Sequence, residues 1–138
     1  MPDEQIRIIL VDDHKLVREA LALLLESDRR FKVIKICVNG IDAIESVRLL
    51  QPDILLIDIN MEPLNGFEVT EKITKENNSI KIIGLSVNNL PSYAEKMLSI
   101  GARGYMTKSS SFHEIVHAIL EVHNGNTYIA EEVKKMIL

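Results

Sequence analysis

Apolar residues in this chain fall into two patterns that take turns. Short unbroken runs stand at IRIILV (6–11), DILLI (53–57) and KIIGLS (81–86). A continuous apolar run of this length reads as a strand buried on both faces. KVIKICV (32–38) alternates as a strand does, and GYMT (104–107) is a short fifth strand. Between the runs, apolar positions recur every three or four residues, the spacing of a helix with one buried stripe. HKLVREALALLLES (14–27) puts Val17, Ala20, Leu21, Leu24 and Leu25 on such a stripe. GIDAIESVRLLQ (40–51) spaces Ile41, Ile44, Val47 and Leu50 by three. GFEVTEKITKEN (66–77) is a helix with a polar face, and PSYAEKMLSI (91–100) opens on a proline and is closed by Gly101. SFHEIVHAILEVHN (111–124) has Ser110 or Ser111 as its cap and Gly125 behind it. Five strand–helix pairs in order predict an α/β fold: a doubly wound, five-stranded parallel sheet with helices on both faces. No internal repeat or low-complexity stretch interrupts the alternation.

In such a sheet, ligands bind beyond the carboxyl ends of the strands, at the switch point in strand order. The residues just past each strand therefore carry the chemistry. Asp12 and Asp13 follow strand 1, Asp58 ends strand 3, Ser86 ends strand 4 and Lys108 follows strand 5. Strand 2 runs into Asn39 and Gly40 and adds no charge. Any one of these acids alone reads as a helix cap or a strand terminator. Three carboxylates, a hydroxyl and an ammonium on one sheet edge read as a site. Close carboxylates repel unless a cation neutralises them. Oxygen ligands without a thiol or paired imidazole favour Mg²⁺, completed by waters and phosphate oxygens. An Asp beside Mg²⁺ is a competent nucleophile toward phosphorus, and Lys108 offers a compact charge to phosphate oxygens.

Composition narrows the classes. The chain has 138 residues, 46% hydrophobic and 26% charged, which suits one globular domain with a real core. It has no Trp and only 4% aromatics, so that core is aliphatic. Cys37 is the single cysteine, so neither an internal disulfide nor a thiolate zinc cluster can form. A net charge of -4 argues against a nucleic-acid-binding face on this chain. No apolar run is long enough to span a membrane, and the opening MPDEQ is acidic and polar. The expected location is the cytoplasm.

One motif points elsewhere. HEIVH (113–117) matches the zinc-protease signature, and His123 follows six residues after His117. On an unbroken helix, however, His123 is rotated about 240° from His117. Leu120 stands where the protease pattern needs a helix-breaking glycine. The motif is expected to be the outer edge of the last helix, beside the stripe of Phe112, Ile115, Val116, Ile119 and Val122.

Several segments together resemble the receiver domain of two-component response regulators: VDDH (11–14), PDILLIDINM (52–61), NG (65–66), LSV (85–87) and GARGYMTK (101–108). The likeness spans about residues 6–130. DDHKLVREAL (12–21), GARGY and GNTYIAEEV (125–133) resemble the NarL/FixJ (LuxR-type) branch in particular. The resemblance implies a CheY-like, flavodoxin-like fold and a role for each residue at the sheet edge. Asp58 is the implied phosphoacceptor. Asp13 and Asp58 are direct Mg²⁺ ligands, Asp12 acts through a water, and the Asn60 backbone carbonyl is the third protein ligand. Ser86 bonds the phosphoryl group and Lys108 pairs with it. Tyr105 is the switch aromatic, against the plainer reading of a half-buried strand residue. Asn60 and Asn88 stand where relatives tune loss of the phosphoryl group. A histidine kinase is the implied donor, a homodimer the implied phosphorylated state, and the surface of helix 4, strand 5 and helix 5 the implied output. The alternative is an enzyme, an Asp-nucleophile Mg²⁺-dependent small-molecule phosphatase. It lacks a second acid at position 60 and a cap insertion.

Two departures from the family pattern stand out. Glu62 separates Met61 from Pro63, where relatives usually have Met-Pro, and adds a negative charge near the site. Ser109 stands where many relatives have proline, which leaves the Lys108–Ser109 geometry open. Residues 1–126 are read as the receiver. Residues 127–138 are read as the start of a linker helix, with Val133, Met136 and Ile137 on one side. In the branch, that linker leads to a helix-turn-helix DNA-binding domain. The reading favours a piece of such a regulator over a natural single-domain one.

Overall fold

The structure, a computed structural model, describes residues 4–137. Strands and helices alternate from the start: β1 (Ile6–Val11), α1 (Lys15–Glu26), β2 (Phe31–Cys37), α2 (Gly40–Leu50), β3 (Ile54–Asp58) and α3 (Gly66–Glu76). The alternation continues through β4 (Lys81–Ser86), α4 (Pro91–Ser99), β5 (Gly104–Thr107) and α5 (Phe112–His123), then β6 (Tyr128–Ile129) and α6 (Glu131–Lys134). The sheet runs β2-β1-β3-β4-β5-β6 with every pair parallel. This is the expected doubly wound sheet, and its order reverses between β1 and β3.

The apolar runs become the centre of the sheet. Every residue of β3 is buried, as is all of β1 except Arg7. Parallel strands covered on both faces need this composition, because no face meets water. Local signals set the helix ends. Asn39 accepts from the Asp42 amide at the start of α2. Asn65 and Glu68 form a reciprocal capping box on α3. Ser111 caps α5 through the Glu114 amide. Gly101 takes a φ of 114° behind α4, a conformation costly for any residue with a Cβ.

The number of strands is a correction. The sequence predicts five and the structure has six. Tyr128 donates to the Arg103 carbonyl at 3.0 Å and Ala130 to the Tyr105 carbonyl at 2.9 Å, which lays β6 along β5. Two residues are too few to show any periodicity, so pattern alone could not reveal this strand. After β6 the chain forms one helical turn, α6, and Leu138 lies outside the described residues. Tyr128, Ala130 and Val133 are buried, whereas Met136 and Ile137 are exposed. The α1 stripe also splits. Leu21 and Leu25 enter the core, while Ala20 and Leu24 line a groove toward Phe112 and Ile115 of α5.

Gly66 fixes the approach of α3 to the end of β3. Its amide donates to the Ile59 carbonyl at 2.9 Å. A Cβ there would stand 2.6 Å from Ile59 Cα and 2.8 Å from the Asp58 carbonyl oxygen, which are backbone atoms with little room to yield. Gly66→Ala is therefore expected to lower the unfolding free energy by about 1–3 kcal/mol, read as a lower urea midpoint. An unchanged midpoint would show that this packing is not tight.

Candidate functional site

The carboxyl ends of β1, β3, β4 and β5 bring the predicted residues together. Asp12 and Asp58 are fully buried, and Lys108 stands between them. Its ammonium lies 3.1 Å from Asp12 Oδ2 and 3.2 Å from Asp58 Oδ2. Apart from this ammonium, neither Oδ2 has a hydrogen-bond partner, so Lys108 alone answers both buried oxygens. Asp13 points outward and joins the same group of carboxylates. Among the described residues, Asp12, Asp13, His14 and Asp58 form the group whose donor atoms all lie within 4.8 Å of one another. Such a group could hold a metal ion, because only a cation offsets carboxylates this close.

Asp58 is held on one side only. Its Oδ1 accepts the Asn60 amide at 3.0 Å. Burial pushes its carboxyl above the usual range. The Asn60 amide opposes that shift, the Asp12 charge adds to it, and Lys108 opposes it. Behind it, Ser86 donates to the Asn60 side-chain oxygen at 2.9 Å and accepts the Asn88 amide at 3.0 Å. Tyr105 is fully buried, and its hydroxyl donates to the Asn88 carbonyl. Burial raises the Tyr105 hydroxyl pKa, and the Ser86 hydroxyl nearby opposes that. Asn60, Ser86, Asn88 and Tyr105 thus form one connected chain that ends at Asp58. Glu62 lines a polar cleft with Asp13 and Asn60. The described backbone has its one cis peptide at Glu62–Pro63, so Lys108–Ser109 is trans.

Two residues were missed in the sequence. His14 reads there as a first-turn helix residue. It is instead the residue before α1, and its imidazole turns into the acid group, with Nδ1 3.1 Å from Asp12 Oδ1 and 3.2 Å from Asp13 Oδ1. Glu132 of α6 accepts from the hydroxyls of Thr107 and Ser109, the neighbours of Lys108 on either side. These bonds, Ser109 first, hold its carboxyl below the usual range. A partner more than twenty residues away leaves no local signal for either contact. The zinc motif resolves as expected. α5 continues unbroken past Leu120, His113 and His117 are exposed, and His117 sets its ring edge against Tyr128, centroids 5.3 Å apart. Cys37 is buried in the core, which pushes its thiol up to about 11.

The raised Asp58 carboxyl has a consequence for stability. At low pH the group is protonated whether folded or unfolded and costs nothing. As pH rises past the ordinary value of 3.8 and through the higher folded value, folding must bury the charge and stability falls. Asp58→Asn is expected to raise the urea midpoint of the metal-free protein at neutral pH, with the gain shrinking toward the ordinary carboxyl range. A neutral-pH midpoint equal to or below that of the parent would contradict this.

The chain is similar in sequence and fold to known proteins. A family model for the response regulator receiver domain matches residues 8–120. Response regulator UvrY of Escherichia coli K12 is 35% identical over 132 residues, 96% of this chain and 61% of its own length. Transcriptional regulatory protein LnrK of Bacillus subtilis 168 is 38% identical over 133 residues, 96% of this chain and 60% of its own. This chain thus spans about three-fifths of those curated relatives. The crystal structure of a LuxR-family two-component response regulator from Aurantimonas sp. SI85-9A1 superposes with a TM-score of 0.93 at 30% identity, covering 97% of this chain and 96% of that one. The receiver domain of Thermotoga maritima CheB gives 0.82 at 27% identity, over 89% of this chain and 99% of that one. These likenesses do not support a small-molecule phosphatase, and Asn60 bonds Ser86 and Asp58 where such an enzyme has its second acid. A receiver model over most of the chain, with LuxR-family relatives in sequence and fold, means that this protein belongs to the response regulator receivers of two-component signalling, in the LuxR-type NarL/FixJ branch.

Proposed function

We propose that Asp58 accepts a phosphoryl group from a histidine kinase and that the chain promotes this transfer itself. One observation carries the reading: a buried carboxylate with one oxygen held by the Asn60 amide and the other paired only with the Lys108 ammonium. The free Oδ2 attacks phosphorus while the phosphorus–nitrogen bond of the donor phosphohistidine breaks, and the leaving nitrogen keeps the electron pair. Asp13 and Asp58 directly, Asp12 through a water and the Asn60 carbonyl would hold Mg²⁺, which fits a close group of carboxylates whose two buried Oδ2 atoms share one ammonium. That ion supplies charge neutralisation for the phosphoryl oxygens. Lys108 needs only a small shift from the Asp58 oxygen to pair with the group placed on it.

Phosphorylation then acts as a local charge on a two-state element. Ser86 leaves Asn60 and donates to the phosphoryl group. The Asn88 amide, now on the Ser86 hydroxyl, follows it, and so does the Asn88 carbonyl that receives Tyr105. Tyr105 already stands inward, so the phosphoryl group stabilises that arrangement rather than creating it. Asn60 and Asn88 set how readily water reaches the acyl phosphate. The signal leaves through the α4–β5–α5 surface, where β6 and α6 pack and where Glu132 ties α6 to Thr107 and Ser109. Residues 127–138 form the exit from the receiver (1–126) toward a DNA-binding helix-turn-helix domain, which the full regulator would use to control transcription as a phosphorylated homodimer. The net charge of -4 leaves DNA contact to that domain. Among the described residues no helix is long and apolar enough to cross a membrane, in keeping with a cytoplasmic partner of a kinase.

Intact mass after incubation with acetyl phosphate and Mg²⁺ tests the assignment. The parent should gain one alkali-labile phosphoryl group, and Asp58→Asn none. A variant that still gains the group at the parental rate would overturn the role of Asp58.

A further inference from the structure

His14 occupies a position its capping role does not require. Its main-chain amide donates to Asp12 Oδ1 at 2.8 Å, but its side chain makes no cap to α1. The imidazole instead enters the acid group, with Nδ1 3.1 Å from Asp12 Oδ1, 3.2 Å from Asp13 Oδ1 and 3.5 Å from Asp58 Oδ2. The same nitrogen lies 3.1 Å from the Lys108 ammonium. An ammonium has only hydrogens to offer, so in this contact Nδ1 is the acceptor, a role that the tautomer with its hydrogen on Nε2 allows. The ammonium thus already sits among two carboxylate oxygens and an imidazole nitrogen, a mixed donor set around a positive charge. Asp12 Oδ2 and Asp58 Oδ2 are buried and have no hydrogen-bond partner besides this ammonium.

The spacing of these atoms fits a coordination shell. Donors about 2.1 Å from a metal and at right angles to one another stand about 3.0 Å apart, and at tetrahedral angles slightly more. The three Nδ1–oxygen separations of 3.1, 3.2 and 3.5 Å are close to such edges. Without an ion, a lone pair facing three carboxylates is repelled by them. An ion at their centre would remove that repulsion, with Asp12 reached through its water. We propose that His14 Nδ1 is a direct ligand of the divalent cation at this site. The donor set is then oxygen plus imidazole, which favours first-row transition ions such as Mn²⁺ and Ni²⁺ over Mg²⁺. This inference rests on the reading that the acid group holds a divalent ion. It amends the Mg²⁺ expectation, which followed from a site with no imidazole.

The test is metal binding to the whole chain, with no phosphoryl donor present. Pulsed electron paramagnetic resonance of bound Mn²⁺ should show coupling to an imidazole nitrogen in the parent. The coupling should persist in H113A/H117A, which removes the paired surface histidines of α5, and vanish in H14A. By calorimetry, H14A should weaken Ni²⁺ binding roughly tenfold or more while changing Mg²⁺ binding by less than about threefold. Mn²⁺ bound at the parent without nitrogen coupling would overturn the role of His14 and leave the acid site standing. Equal losses of Ni²⁺ and Mg²⁺ in H14A would also overturn it, as a general disturbance of the loop. A parent that binds neither Mg²⁺ nor Mn²⁺ would overturn this inference together with the proposed metal site.

Discussion

Two carboxylates buried side by side, with one ammonium between them, are the constraint on which the rest of this molecule depends. Asp12 and Asp58 have no exposed surface, and their donor atoms lie within 4.8 Å of each other. Like charges at that distance cost on the order of 3–4 kcal/mol even at an effective dielectric near 20. Lys108 offsets part of this and leaves a net negative site. A fold keeps such a cost only where something else repays it, and here that is a cation, and after it the three oxygens of a phosphoryl group. Burial raises the Asp58 carboxyl, and the Asp12 charge beside it adds to that rise.

The surrounding structure holds this arrangement in place. The aliphatic strands β1 and β3 are adjacent and sealed on both faces, so the acids at their ends cannot drift toward water. Gly66 lets α3 start directly against the Asp58 backbone, where any side chain would collide. From Asp58 a chain of hydrogen bonds runs through Asn60, Ser86 and Asn88 to Tyr105. On the opposite side of Lys108, Thr107 and Ser109 reach Glu132. The charge site therefore touches both the loop before α4 and the segment after α5. A change in its charge can bias both at once.

Much of this was legible in the residues, and the limits are physical. Unbroken apolar runs mark the buried parallel strands and alternation marks β2, so the first five strands and the edge carrying Asp12, Asp13, Asp58, Ser86 and Lys108 follow from pattern alone. The two-residue β6 has no period to detect, and its pairing depends on Tyr105 and Arg103, distant in sequence. Glu132 looks like any surface acid of a polar helix until the fold brings Ser109 to it. His14 was read by its place at a helix start, whereas its side chain follows the charge beside it. The HEIVH motif shows the reverse. Its letters suit zinc, yet the unbroken helix keeps His123 apart from the exposed pair, and His117 packs on Tyr128.

The most direct test of the central charge constraint is the urea-unfolding free energy as a function of free Mg²⁺, starting from a chelated sample. If the buried acids lack a cation, stability should rise with the logarithm of Mg²⁺ above its dissociation constant, by about 1.4 kcal/mol per tenfold increase. An Asp12→Asn, Asp58→Asn double variant should lose that dependence and start from a higher metal-free stability. A parent whose stability ignores Mg²⁺, or a double variant less stable than the chelated parent, would contradict the account.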